Sequence, residues 1–218
     1  MIDLLRTSES AYYVDRTVSA EKSYPVSKRI YDIVFSLLVT AFVLSWLIPL
    51  LGLLIRLESR GPVLFVQLRT GRNNRPFPCL KFRTMRYQRN ATYAQARKGD
   101  ARVTRIGAFL RRTNLDEMPQ FLNVLAGHMS VVGPRPHPIP LDAQYMPLIP
   151  MYQQRYTTKP GVTGLAQTRG LRGETGLREM SHRVRLDLWY IRNRSFLLDL
   201  KICWWTVAKM AKGDDKAY

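Results

Sequence analysis

Residues 33–55 read IVFSLLVTAFVLSWLIPLLGLLI, a run of 23 residues without a charged side chain. The hydrocarbon core of a bilayer is about 30 Å thick and takes about 20 apolar helical residues to cross, so this stretch is long enough to enter a membrane. It is longer than the apolar region of a cleaved signal peptide and begins further along the chain. We therefore expect it to remain in the mature protein.

Two features of this stretch leave its path open. Basic side chains lie on both sides, at positions 28, 29, 56 and 60, and a straight span would carry one basic flank across the membrane. Pro49 cannot donate a backbone hydrogen bond and interrupts the helix. These features fit either a re-entrant helix broken between Ser45 and Pro49 or a Pro-kinked spanning helix. At its start, Asp32 can pair with Lys28 or Arg29 on one helix face.

The charge balance indicates a polyanionic partner. The chain has 218 residues, 34 Lys and Arg against 16 Asp and Glu, and a formal net charge of +18. Such an excess is typical of proteins that bind nucleic acid or the anionic cytoplasmic surface of a membrane. A soluble nucleic-acid-binding protein has no use for a long uncharged stretch, so we expect membrane lipids and no nucleic acid as partners. The two cysteines provide no disulfide framework.

The rest of the chain predicts an α+β fold. We divide it into an N-terminal arm at 1–27, the membrane helix at 28–57 and one compact domain at 58–218. Within the domain, residues 63–69 and 78–85 are rich in strand-forming residues and are joined by a polar linker with Gly and Asn. This pattern predicts a β-hairpin.

Two further segments alternate apolar and basic residues at helical spacing, at 103–112 and 196–212. Each fits an amphipathic helix on a membrane surface, and each also fits a helix that packs on a core and exposes its basic side. Between them, residues 133–150 are so rich in proline that we expect irregular or extended backbone.

The polar cluster most suited to chemistry is the adjacent pair Asp116 and Glu117. Pro119 is tolerated only in a first helical turn, which places the pair at or just ahead of a helix start. One interpretation is that the two carboxylates merely cap that helix. The other is a divalent-cation and phosphate site, in which Arg111 and Arg112 bind phosphate, one carboxylate holds Mg²⁺ and the other attacks phosphorus.

Five segments, taken together, resemble the bacterial sugar transferase family. They are KRIYD at 28–32, KFRTM at 81–85, RRTNLDEMPQFLNVLAGHMSVVGPRPHP at 111–138, KPGVTGLAQ at 159–167 and RLDLWY at 185–190. The family comprises the monotopic phosphoglycosyl transferases that begin glycan assembly on a polyprenyl phosphate. The chain is similar to the minimal catalytic form. The resemblance favours the re-entrant helix, interfacial amphipathic helices and a cytoplasmic catalytic domain at 58–218.

The resemblance also implies a reaction and roles for site residues. A sugar-1-phosphate passes from a UDP-sugar to undecaprenyl phosphate with release of UMP, through a covalent phosphosugar-aspartate. Asp116 matches the nucleophile and Glu117 the partner that helps to bind Mg²⁺. Lys81 and Arg111 match the family's phosphate-binding residues, and the resemblance implies that Arg135 and Asp187 also bind substrate.

The implied setting is the cytoplasmic face of the bacterial inner membrane, in the first membrane step of exopolysaccharide, capsule or O-antigen assembly. Residues 172–175 are similar to those of members that transfer glucose- or galactose-1-phosphate. A homodimer is compatible with the sequence. The competing hypothesis is a non-enzymatic basic scaffold for glycan assembly on the membrane surface.

Overall fold

The computed structural model describes residues 25–88, 94, 99–171 and 176–212. The predicted arm at 1–27 lies outside the described residues except for its last three positions, and the segment 172–175 lies outside them entirely. The described chain is rich in helices, with an antiparallel hairpin and a short parallel pair of strands. The α+β class is therefore confirmed.

The first described element is a long apolar helix, α1, at Val26–Glu58. Its 33 residues are long and apolar enough to cross a membrane, by length and composition. Only 28% of its most apolar 18-residue window is buried by the rest of the protein, whereas the core helix of a soluble protein would be mostly buried. Helix α1 is thus compatible with a membrane-associated protein.

Helix α1 contains a π-helical turn at Thr40–Leu44. The Ser45 N–H donates to the Thr40 carbonyl five residues back, and the Ser45 hydroxyl donates to the Ala41 carbonyl at 2.7 Å. Helical backbone then continues through the interval between Ser45 and Pro49, where the sequence predicted a break. The irregularity lies one turn earlier, at the π turn, and π turns are common points of helix bending.

Buried polar side chains bind the start of α1 to the domain. Asp32 is fully buried and accepts hydrogen bonds from the Ser130 hydroxyl at 3.0 Å and the Val131 N–H at 2.9 Å. Lys28 donates to the Asp199 carboxylate at 2.6 Å. Lys28 and Arg29, the basic neighbours predicted to pair with Asp32, also bind distant parts of the chain: Lys28 binds Asp199, and Arg29 donates to the carbonyls of Val124 and Leu125.

The end of α1 is bound to the same domain. Arg83 donates to the Ser59 carbonyl at 2.5 Å, just beyond the last helical residue. The Glu58 carboxylate accepts from the N–H groups of Arg105 and Ile106 at 2.6 and 3.0 Å. Both ends of the apolar helix therefore contact one domain.

The predicted hairpin is present. Strand β1 (Leu64–Thr70) pairs antiparallel with β2 (Pro76–Phe82). Asn73 and Asn74 in the connection have φ angles of 56° and 58°, a left-handed conformation that Asn tolerates better than most residues. Strand β2 ends just after Lys81, which places this side chain at the edge of the hairpin nearest the acidic pair.

The remaining elements are short helices, two long helices and a second pair of strands. In chain order they are α2 (Arg105–Thr113), α3 (Gln120–Leu125), β3 (Ser130–Val132), α4 (Ile139–Tyr145), β4 (Gly161–Thr163), α5 (Leu165–Thr168), α6 (Leu177–Asn193) and α7 (Phe196–Lys212). Strands β3 and β4 pair in parallel. The expectation of irregular backbone at 133–150 is wrong in part, because α4 begins with a proline in its first turn, where proline is accommodated.

Helix α7 has the bounds predicted from the sequence, and its apolar stripe faces outward. Leu197 is 70% exposed, Trp204 71% and Val207 61%. A core-packed helix would bury such a stripe, so the exposure favours the membrane-surface interpretation for α7. Helix α2 instead buries Leu110 completely.

Helix α2 crosses the chain at Thr84 so closely that only glycine fits. A Cβ atom on Gly107 would lie 2.0 Å from the Thr84 carbonyl oxygen. One turn further along α2, the Arg111 Nε donates to the Thr84 hydroxyl at 2.9 Å. The close crossing therefore helps to position Arg111.

Gly107→Ala tests this crossing. Alanine in a helix interior normally stabilises a protein by about 0.5–1 kcal/mol relative to glycine, but here we expect overpacking to cost about 1–3 kcal/mol. Thermal and denaturant unfolding of the detergent-solubilised protein measure the difference. Ala108→Ser, at an exposed position on the same helix, is the control. A gain in stability from Gly107→Ala would contradict the close packing.

Candidate active site

The acidic pair lies in a short 3₁₀ turn between two helices. Asn114 takes a left-handed conformation with φ 59°, which ends α2, and Leu115–Glu117 then form the turn ahead of α3. Asp116 and Glu117 are each only 8% exposed. Neither the turn nor α3 has a side-chain cap, so the capping interpretation of the pair is not supported.

Glu117 is bound by two basic side chains from different parts of the chain. Lys81 Nζ lies 2.7 Å from Glu117 Oε1, and Arg135 donates to both carboxylate oxygens, at 2.5 and 2.8 Å. A bidentate contact of this kind fixes direction as well as distance. Glu117 therefore joins the end of β2 to the loop after β3.

Asp116 is held less tightly. Its Oδ2 lies 3.8 Å from Lys81 Nζ, an ion-pair distance but too long for a hydrogen bond. Burial raises the pKa of the Asp116 carboxyl, the adjacent Glu117 raises it further, and Lys81 and Arg111 act in the opposite direction. Of the two carboxylates, Asp116 is thus the one with an oxygen available for chemistry.

The two predicted arginines on α2 differ in position. Arg111 is partly buried, and its charge acts on Asp116 and Glu117, while burial lowers its own pKa. Arg112, the next residue, is exposed. The structure therefore groups Arg111 with the acidic pair and leaves Arg112 at the surface of α2.

Asp187 lies apart from this group, on α6. It is 2% exposed and pairs with Arg155, whose Nε donates to its Oδ2 at 2.8 Å. Burial raises the pKa of Asp187, and Arg155 opposes that shift. The remaining predicted site residues, Lys81, Arg111, Asp116, Glu117 and Arg135, are brought together.

No motif or spacing in the sequence indicates Arg155 or Arg69 as a site residue. Arg155 lies in a 3₁₀ turn at Tyr152–Thr157, and its guanidinium donates to the Arg135 carbonyl at 2.8 Å. Arg69 donates to the Pro136 carbonyl at 2.7 Å. In a chain with 34 basic residues, two buried arginines are indistinguishable from solvated ones by composition or spacing.

The donor set fits Mg²⁺. Among the described residues no three His, Cys, Asp or Glu side chains form a metal-binding group. Mg²⁺ is usually held in proteins by one or two carboxylates together with substrate phosphates and water. The adjacent carboxylates of Asp116 and Glu117, one with a pKa raised by burial and by its neighbour, are a suitable pair because a cation relieves their repulsion.

Asp116→Asn and Glu117→Gln should change stability in opposite directions. The folded-state pKa of Asp116 is raised, so its ionised form destabilises the fold, and this cost appears as pH rises through that pKa. We expect Asp116→Asn to match the wild type in acid and to have the higher Tm at neutral pH. Glu117→Gln leaves two partly buried cations, Lys81 and Arg135, without their shared partner and should cost about 3 kcal/mol.

Unfolding of both variants across pH 4–8 measures the two effects, and each variant is the control for the other. A lower Tm for Asp116→Asn at neutral pH would contradict the electrostatic assignment. So would a Glu117→Gln variant as stable as the wild type.

The chain is similar in sequence to a known family and to several named proteins. The family profile described as bacterial sugar transferase matches residues 23–213. A Klebsiella pneumoniae protein named UDP-glucose:undecaprenyl-phosphate glucose-1-phosphate transferase is 48% identical over 186 residues, which cover 84% of this chain and 40% of that protein. The exopolysaccharide production protein PSS of Rhizobium leguminosarum bv. phaseoli is 50% identical over 189 residues, covering 84% of this chain and 94% of its own length.

A more distant relative has a different donor in its name. The UDP-N-acetylgalactosamine-undecaprenyl-phosphate N-acetylgalactosaminephosphotransferase of Aeromonas hydrophila is 40% identical over 166 residues, or 74% of this chain and 38% of its own. The chain thus spans less than half of the Klebsiella and Aeromonas relatives and nearly all of the Rhizobium one. Because the family profile covers most of the chain, the resemblance seen in the sequence is confirmed, and the protein belongs to the bacterial sugar transferase family.

Proposed function

We propose that the protein transfers glucose-1-phosphate from UDP-glucose to undecaprenyl phosphate and releases UMP. The observation that carries this proposal is the buried Asp116–Glu117 pair held among Lys81, Arg111 and Arg135. Several relatives at 43–50% identity have names that state this donor and acceptor or exopolysaccharide production. The Aeromonas relative, at 40% identity, supports N-acetylgalactosamine as the second choice of sugar.

The reaction proceeds in two displacements on one carboxylate. An Oδ oxygen of Asp116 attacks the β-phosphorus of the donor, the bond from that phosphorus to its bridging oxygen breaks, and UMP leaves with the electron pair. A phosphate oxygen of undecaprenyl phosphate then attacks the phosphosugar-aspartate and displaces the Asp116 carboxylate. The product is undecaprenyl-diphosphate glucose, and a covalent step lets a soluble and a lipid substrate use one site in turn.

The basic residues provide most of the stabilisation, because phosphoryl transfer depends chiefly on positioning and charge. Lys81, 3.8 Å from Asp116, and Arg111 lie on the side of the nucleophile. Arg135, on the loop after β3, lies on the other side and binds Glu117. Mg²⁺ held by Asp116 and Glu117 would supply further neutralisation of diphosphate charge. Arg112, exposed on α2, contributes to the positive field rather than to a contact.

The membrane arrangement that we propose is re-entrant. Lys28 at one end of α1 and Glu58 at the other bind the same domain, which supports a helix that enters and leaves the bilayer on one face. The π turn at Thr40–Leu44 is the natural point of bending. The outward apolar stripe of α7 supports contact with lipid beside it. On this proposal the domain lies at the cytoplasmic face of the inner membrane and begins assembly of an exported glycan.

Turnover by Asp116→Asn tests the reaction. Wild-type protein with undecaprenyl phosphate, Mg²⁺ and a panel of UDP-sugars should release UMP fastest from UDP-glucose. Loss of the nucleophile should reduce the rate by about 10³-fold or more and abolish hydroxylamine-sensitive labelling of the protein by a radiolabelled sugar phosphate. Glu179→Gln, an exposed carboxyl on α6, is the control. Full turnover by Asp116→Asn would remove the nucleophile assignment, and no UMP from any donor would favour the scaffold hypothesis.

Thiol labelling tests the topology. Ser27→Cys and Pro62→Cys introduce single exposed thiols just before and after the apolar stretch. Both should react with a membrane-impermeant maleimide in inverted vesicles and neither in intact spheroplasts. The parent chain, whose Cys79 is buried, gives the background. Labelling of the two positions from opposite sides would show a spanning helix.

A further inference from the structure

We propose that Asp187 and Arg155 are positioning residues that set the direction of the Arg135 side chain without touching the substrate. The proposal rests on the proposed function, in which Arg135 helps to bind the donor diphosphate. It replaces the role in substrate binding that the sequence resemblance implied for Asp187.

The loop that carries Arg135 has few backbone N–H groups with which to form hydrogen bonds within itself. Prolines at 134, 136 and 138 leave only two backbone N–H groups in the segment 134–138. Its carbonyl groups must therefore be fixed by donors from elsewhere. Arg155 donates to the Arg135 carbonyl at 2.8 Å, and Arg69 donates to the next carbonyl, that of Pro136, at 2.7 Å. Two guanidinium groups thus hold consecutive carbonyls of this loop.

Arg155 is itself fixed by its surroundings. Its residue exposure is 2%, its Nε donates to Asp187 at 2.8 Å, and its guanidinium lies 5.2 Å from the ring centre of Tyr152. Burial and the charge of Arg155 hold the pKa of His137 well below its usual range, so the nearby imidazole stays neutral and does not repel the guanidinium. Asp187 is the carboxylate that balances the buried charge at hydrogen-bond distance.

These contacts connect Asp187 to Glu117 in three steps. Asp187 orients the Arg155 fork, the fork fixes the Arg135 carbonyl, and the fixed backbone aims the Arg135 guanidinium at both oxygens of Glu117. A planar guanidinium serves this purpose because its rigid fork presents separate N–H groups to Asp187 and to the carbonyl in a fixed geometry, whereas the lysine ammonium is a single compact donor on a flexible stem. Asp187 should therefore affect the reaction only through Arg135.

A double-mutant cycle separates a residue that acts through Arg135 from one that binds substrate independently. The variants are Asp187→Asn, Arg135→Lys and the double variant, each assayed for kcat/KM with UDP-glucose and for the Kd of UDP. We expect Asp187→Asn to lower kcat/KM by about 10–100-fold, the range typical of residues that orient a directly binding group. The double variant should be no worse than Arg135→Lys alone. If the two losses multiply, the proposal is overturned.

Asp199→Asn is the matched control for burial. Asp199 is also a buried carboxylate in a close ion pair, 2.6 Å from Lys28, but it lies on α7 and binds the membrane helix. Any loss that it causes should multiply with that of Arg135→Lys. This comparison distinguishes a specific coupling from a general loosening of the fold.

Arg155→Lys keeps the charge and removes the fork. It should lose activity to a similar extent as Asp187→Asn, with little further loss when the two are combined, and a fully active Arg155→Lys would overturn the proposal.

The Kd of UDP distinguishes failure of the positioning proposal from failure of the proposed reaction. If the losses of UDP binding are coupled but no UMP is released, the proposed reaction is refuted and the positioning role is retained. If the losses are not coupled and the wild type turns over normally, the positioning role is refuted and the proposed reaction is retained.

Discussion

The rest of the structure depends on one buried carboxylate, that of Glu117. Lys81 reaches it from the end of β2 and Arg135 from the loop after β3, so the hairpin, the 3₁₀ turn and the proline-rich loop meet at a single anion. The arrangement leaves Asp116, the adjacent residue, buried but only loosely paired. On the proposed reaction, Glu117 holds the site together and Asp116 reacts, which would explain why the two acidic residues are adjacent.

The sequence predicted those parts of the fold and the site whose signals are local. The hairpin follows from a turn of Gly and Asn between strand-forming segments, and α7 follows from helical spacing at 196–212. The acidic pair stands out as two adjacent carboxylates near arginines at a helix start, a local pattern that by itself also fits a helix cap. The predicted grouping of Lys81 with this pair depended on family resemblance, since 34 residues lie between Lys81 and Asp116.

Long-range pairing of buried charges could not be predicted. Asp32 and Lys28 are four residues apart at helical spacing, yet they bind β3 and α7. Asp187 resembles a site residue in sequence, but its partner is Arg155, which no motif indicates. In each case packing between distant segments determines the partner, and helical periodicity cannot predict such packing. The π turn of α1 was not predicted for a related reason. A proline indicates that a helix is irregular nearby, but it does not determine which turn departs from α-helical geometry.

Because both ends of α1 are bound to the rest of the protein, the apolar helix and the domain at 58–218 form one folded unit. Removing α1 would leave the Ser130 hydroxyl and the Val131 N–H without their Asp32 acceptor, and would uncover the core surface that Leu47 and Leu51 now cover. Ser130 and Val131 belong to strand β3, and the loop that carries Arg135 comes directly after this strand in the chain. Helix α1 is therefore part of the folded unit that carries the candidate active site, and a stable fragment that lacks α1 is not to be expected from this chain.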